Sequence, residues 1–192
     1  MKKLFWTIFV LAGSINSYGQ RPIILTSAGA FSIENKEVVW TQIYTRPGFR
    51  ADSIYNSVLT YLHKNRTFTE ITEHDGEIIA RMTHYWIDTK KNRGSGGSFG
   101  FNGFWNGDVT IQIKDGRYRV VVTSLIEDQG RSGMSIYGVT NSKEIILDFS
   151  AWVLNSERDG FKNDRLSRVV IMNNALMDLF DVKQMTIAKK DW

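Results

Sequence analysis

DVTIQIKDGRYRVVVTSL, residues 108 to 125, alternates apolar and polar side chains on either side of Asp115-Gly116. With those two residues as a hairpin turn, Ile113 faces Tyr118, Ile111 faces Val120 and Val109 faces Val122, all on one side of the sheet. Thr110, Gln112, Lys114, Arg117 and Arg119 fall on the other side. One face is therefore core and the other wet, as in an antiparallel sheet covered on one side only.

Upstream, FTEITEHDGEIIARMTHYWIDT (68–89) reads as a second hairpin turning at Asp75-Gly76, with Glu70 opposite Arg81 as an opposite-charge pair. EVVWTQIY (37–44) is an apolar, β-prone strand ended by Pro47-Gly48. DSIYNSVLTYLHKN (52–65) places Ile54, Val58, Tyr61 and Leu62 at helical spacing, with Asp52 or Ser53 available to cap the first turn. Downstream, GRSGMSIYGVT (130–140) is loop or short strand. In NSKEIILDFSAWVLN (141–155), Asn141 stands three before Glu144 as a capping box, and Ile145, Phe149, Trp152 and Val153 recur at helical spacing. A helix is favoured there, a buried strand being the alternative. After the polar break ERDGFKND, the residues Leu166, Val169, Val170, Leu176, Met177 and Phe180 mark a further helix from Asp164. Strand, helix, two hairpins and C-terminal helices make an α+β fold: an antiparallel sheet of about five strands with helices packed on one face.

The 192-residue chain opens MKKLFWTIFVLAGSINSYGQ, with two lysines, an apolar run from Leu4 to Ala12, and Ser17 and Gly19 three and one positions before Gln20. This is the order of a secretory signal peptide, with residues 1 to 19 removed on export. The run is too short to span a bilayer, which takes about 20 residues. Lys2 and Lys3 leave with it, so the net charge falls from +4 to about +2. Such a balance does not call for nucleic acid or an anionic membrane. Without cysteine there is no disulfide framework, no thiolate zinc site and no lipoprotein anchor. The expectation is an exported protein of periplasm or cell exterior, about 173 residues long and one domain from 20 to 192, with no transmembrane segment.

No catalytic signature occurs. GSGGSFG has Phe99 where a dinucleotide fingerprint needs its third glycine, and there is no GxxxxGK[ST], GxSxG or HExxH. His63, His74 and His84 are scattered; His74, Asp75 and Glu77 read better as a solvated turn than as metal ligands. No cofactor is expected. Lys114, Arg117 and Arg119 form a basic patch, read as an ordinary wet face. Asn65-Arg66-Thr67 fits an N-glycosylation sequon, and Asp52-Ser53-Ile54 a short O-glycosylation acceptor, for which helix capping is the simpler account.

The remaining candidate is KNRGSGGSFGFNGFWNGD (91–108), in which six glycines surround Phe99, Phe101, Phe104 and Trp105. As a ligand surface its rings would stack on sugar, peptide or apolar groups while Asn102 and Asn106 supply hydrogen bonds. As structure, Asn102-Gly103 and Asn106-Gly107 are turns that fold some rings over the sheet edge, with Trp105 nearest the core.

From Glu37 to about Asp128, EVVWTQIY, DSIYNSVLTYL, GEIIARMT and above all VTIQIKDGRYRVVVTSLIED resemble the family called domain of unknown function 4468. The resemblance implies a TBP-like fold and an exported bacterial protein, and brings no catalytic residue. It covers roughly half the chain, leaving 129 to 192 as a C-terminal helical part. The resulting expectation is a non-enzymatic binding or assembly module of the cell envelope with a protein partner; the alternative is an envelope-glycan module using the glycine and aromatic loop, and a hydrolytic enzyme ranks below both.

Overall fold

The computed structural model describes residues 25–92, 101, 103–132, 135–136, 139–140 and 143–183, with backbone alone for 130–145. Its strands are β1 (Ser27–Ala28), β2 (Phe31–Glu34), β3 (Glu37–Thr45), β4 (Phe68–His74), β5 (Glu77–Tyr85), β6 (Phe104–Lys114), β7 (Arg117–Ser132), β8 (Ser135–Ile136), β9 (Val139–Thr140) and β10 (Lys143–Asp148). The helices are α1 (Ala51–Lys64), α2 (Phe149–Val153) and α3 (Leu166–Phe180). Among the described residues, the main sheet has eight antiparallel strands in the order β1-β2-β3-β7-β6-β5-β4, with β10 also on β7. The long β7 accepts β3 along Arg117–Val122 and β10 along Ile126–Ser132. β8 and β9 pair apart from it. No helix among the described residues is long and apolar enough to cross a membrane.

The central hairpin has the register its alternation predicts: Ile113 opposite Tyr118, Ile111 opposite Val120, Val109 opposite Val122. Gly116 takes φ +71°, a left-handed turn conformation that glycine adopts without steric cost. The neighbouring Asp115 carboxylate accepts from the Ala51 N–H at 2.7 Å. It thereby caps α1 from a position 64 residues away. The expected caps Asp52 and Ser53 lie inside the helix instead, and the N-cap residue Arg50 makes no side-chain cap bond. Ile54, Val58 and Leu62 are buried as their spacing requires, and Tyr61 is half-buried.

Further expectations need correction. The sheet exceeds five strands because β2 turns into β3 at Asn35-Lys36, both with positive φ (50° and 66°), a tight turn without the glycine that usually announces one. In β4, a bulge after Thr69 puts Thr69, not Glu70, opposite Arg81. The Glu70–Arg81 ion pair nevertheless survives at 4.0 Å, because the bulged Glu70 (φ +50°) swings back over it. Residues 143–148 form strand β10, the alternative to the favoured helix. The short α2 follows, capped not by Asn141 but by Asp148, which accepts from Ser150 N–H at 2.8 Å. In α3 the buried side is Val169, Ile171, Met172, Ala175, Leu176, Leu179 and Phe180, while Val170 and Met177 are exposed. The run Val169 to Met172 is apolar all round, so periodicity alone cannot orient it.

The C-terminal elements complete the core rather than hang from it. Phe149, Val153, Phe161, Met172 and Leu176 belong to one buried cluster with Trp40, Ile78, Val109 and Val120. Tyrosines then close the end of α3, whose last carbonyls have no partner within the helix. Tyr44 donates to the Met177 C=O (2.9 Å), Tyr61 to Leu179 (2.5 Å) and Tyr118 to Phe180 (2.7 Å), while Tyr85 adds a bond to the Ala175 C=O (3.0 Å), further back inside the helix. Tyr44 and Tyr118 also stack, with ring centroids 4.9 Å apart. Burial pushes the Tyr118 hydroxyl up to about 12 and those of Tyr44 and Tyr85 higher still. Each favours its neutral, hydrogen-bond-donating form.

Candidate binding face of the sheet

The glycine and aromatic loop divides. Trp105 is wholly buried and Phe101 nearly so; their rings meet at 5.6 Å, and Trp105 also packs edge-on against Phe149. Neither ring is available to a ligand. Gly103 anchors this return to the sheet: its N–H donates to the buried Glu127 carboxylate at 2.8 Å, and an added Cβ would lie 2.3 Å from the Asp128 carbonyl oxygen. Asn106-Gly107 is not the expected turn but lies within β6, Asn106 opposite Ile126 and Gly107 opposite Met82, and Asn106 is spent on structure, its Oδ1 accepting from the His84 N–H at 3.1 Å. Phe99 and Asn102 lie outside the described residues. Of the candidate rings described, Phe104 alone is exposed.

Phe104 has company the sequence did not announce. Its ring meets those of Trp86 and His84 edge-on, each at 5.7 Å between centroids. His84 stands at φ +53° beside a bulge between β5 and β6, which turns the end of β5 towards this cluster. Regular alternation from the buried Ile78, Ala80 and Met82 would turn Trp86 inward; the bulge between Met82 and Tyr85 reverses the parity, sending Tyr85 towards α3 and leaving Trp86 exposed, so no local signal announced it.

Strand alternation fixes which residues share a face. Phe104, Asn106, Asp108, Thr110, Gln112 and Lys114 of β6 point away from the helices, and cross-strand partners follow them. Ile79 pairs Thr110, Ile43 pairs Arg119 beside Gln112, and Ile146 pairs Asp128 beside Phe104. Seven large apolar side chains are exposed among the described residues. Five of them, Ile43, Ile79, Trp86, Phe104 and Ile146, gather on this uncovered side; Val170 and Met177 lie on α3. Singly exposed apolar residues need no explanation, but several sharing one open face mark an interaction surface.

The face is chemically graded. Its aromatic end carries Trp86, Phe104 and His84; its middle is β-branched, with Thr110, Val121, Ile79 and Thr41; its hairpin end carries Lys114, Arg117 and Arg119. His74 pairs only its neighbour Asp75, at 3.7 Å, and no three His, Asp or Glu side chains among the described residues converge as a metal ion would need. The sequon's Asn65 accepts from the Thr67 N–H (3.1 Å) and donates to the Tyr61 hydroxyl (3.2 Å), finishing α1. Ser53 sits in the first turn of α1, its carbonyl accepting from the Ser57 hydroxyl at 2.8 Å.

No family model matches the sequence. No curated protein matches it either. Two solved structures resemble it. One is a DUF4468 family protein from Bacteroides ovatus, 15% identical, with a TM-score of 0.50 over 81% of this chain and 93% of that one. The other is a TBP-like protein from Parabacteroides distasonis, 12% identical, with a TM-score of 0.49 over 78% of this chain and 94% of that one. The first match extends well beyond the half-chain resemblance carried by residues 37–128, taking in most of the architecture. The protein has the fold of that DUF4468 family protein.

Proposed function

We propose that the chain is exported, its signal peptide cleaved after Gly19, and that it serves in the cell envelope as a non-enzymatic binding or assembly module which docks a protein partner on the open face of its sheet. The observation that carries this reading is the gathering of Ile43, Ile79, Trp86, Phe104 and Ile146 on the side of the sheet that none of the described helices covers. The N-terminal pattern supports the location. A photo-crosslinking residue placed at Ile79 or Phe104 in the native host should trap one discrete adduct that the same residue at Val170, exposed on α3, does not. Intact-mass analysis of the purified protein should give a chain that begins at Gln20. Equal adducts from both sides, or none from the sheet side, would count against the docking face; an intact Met1 would sink the export reading.

A second reading keeps the glycan alternative, moved to new residues. Trp86 and Phe104 are both exposed and in edge contact, a pair of apolar planes of the kind on which sugar faces stack. Of the tryptophans described, Trp40 and Trp105 are buried, Trp152 is partly buried and Trp86 is exposed. Saturable fluorescence quenching by an envelope oligosaccharide, lost in Trp86→Phe, is the expected result of that reading. A flat titration across a broad glycan panel removes it.

A further inference from the structure

We propose that the hairpin end of the open face is a binding site for an oxyanion group of phosphate or sulfate type, with Arg117, Arg119 and Lys114 as its donors and Ile43 as its apolar wall. The proposal rests on the open face being a binding surface; it does not require a protein partner.

The first ground is an arrangement that folding alone disfavours. Lys114 lies directly opposite Arg117, and Arg119 follows two residues along β7 on the same face. Like charges directly opposite in a ladder repel. Several cations elsewhere are matched, as Arg46 is with Asp181, Arg81 with Glu70 and Arg158 with both Glu37 and Asp148, whereas the isolated Lys36, Lys64 and Arg66 form no ion pair among the described residues and face no like charge across a ladder. Lys114, Arg117 and Arg119 have no ion pair among the described residues, although Asp115 and Glu77 are near in sequence or register. Asp115 is committed to the Ala51 N–H. Glu77 is turned to the Gln112 amide, which donates to its Oε1 at 2.8 Å.

The second ground is preorganisation. Arg119 donates to the Gln112 Oε1, so the chain of contacts runs Glu77, Gln112, Arg119. A neutral amide thus orients the guanidinium, and the carboxylate that would have cancelled its charge is held one residue away. Most of the five guanidinium N–H donors remain free to meet an oxyanion in the fork geometry that phosphate and sulfate accept. The third ground is shape: Ile43, Gln112, Lys114, Arg117 and Arg119 line a groove of about 240 Å³, with the half-exposed Ile43 beside the cations for the apolar part of an esterified ligand.

The test is pyrophosphate titrated into the full-length mature protein, read by calorimetry and by the Nε–H resonance of Arg119. Saturable binding is expected. Arg119→Gln, Arg117→Gln and Lys114→Gln should each weaken it roughly tenfold or more, the loss typical of a charged hydrogen bond. Gln112→Leu, which changes no charge, should weaken it less and broaden the Arg119 signal, as befits a positioning residue. Lys36→Gln, which removes one charge from the distant β2–β3 turn, should leave it unchanged. Vesicles of phosphatidylcholine, with and without phosphatidic acid, separate the sources: binding only with phosphatidic acid assigns a lipid headgroup, and pyrophosphate binding alone assigns a soluble ester. No binding at tens of millimolar pyrophosphate, or an equal loss in Lys36→Gln, would overturn the site. So would duplex DNA binding far more tightly through the same residues. Because no partner is present, anion binding that persists after a failed crosslinking experiment refutes the protein-docking reading and leaves this site standing.

Discussion

Replacing Trp105 with alanine should lower the melting temperature by about 6 to 20 °C. Removal of a buried tryptophan costs about 3 to 5 kcal/mol, and each kcal/mol shifts the melt by about 2 to 4 °C at this chain length. Trp105 is wholly buried, packed among Phe101, Phe149 and Trp152. Its indole N–H is buried and has no hydrogen-bond partner among the described residues, so Trp105→Phe removes an unsatisfied donor along with part of the ring. That variant should therefore cost clearly less than Trp105→Ala. Phe104→Ala, one residue away and exposed, should change stability by no more than about 0.5 kcal/mol. Thermal melts of the three variants decide the matter. Equal, small shifts at 104 and 105 would mean that the loop does not return to the core as described, and the open face would lose its aromatic end.

Tyr118→Phe should destabilise the protein by about 1 to 3 kcal/mol, the cost of stranding a buried polar group, with nearly all of the ring's packing retained. The hydroxyl donates to the Phe180 carbonyl at 2.7 Å and accepts from the Val182 N–H at 3.1 Å. Adding Tyr44→Phe should deepen the loss non-additively, since the two rings stack and serve carbonyls of the same helix end. The pH dependence has a definite sign. Burial raises the Tyr118 pKa to about 12, against about 10 in an unfolded chain. Its contribution is fully present below pH 10 and is lost as pH rises from 10 towards 12, because the unfolded state ionises first. Chemical denaturation between pH 8 and 12 should show stability falling across that upper window in the wild type, with a shallower fall in Tyr118→Phe. Parallel curves for the two proteins would remove Tyr118 from the account.

Both predictions depend on contacts that bring distant segments together, and that divides what a reader of the sequence can and cannot see. Turn dipeptides and alternation are short-range signals, and they specified the central hairpin to the residue. The helix at 51–64 was equally legible, because its apolar stripe is narrow. Lys143–Asp148 was not: IIL supports helix and strand alike, and the choice is made by the free edge that β7 offers beyond β3. In the loop, burial separated residues of the same kind, sending Phe101 and Trp105 inward and leaving Phe104 out to meet Trp86.

By itself, then, the sequence determined the α+β class, the central hairpin and its register, and the two-sided character of the sheet, because each depends on residues within a few positions of one another. Only the tertiary structure decided which rings are core, that an aspartate in a hairpin turn caps α1, that three tyrosines close the end of α3 while a fourth braces it, and that the exposed apolar residues share a face with three cations that form no ion pair among the described residues. The tyrosine contacts join residues between 62 and 133 positions apart, and no local periodicity carries a relation of that length.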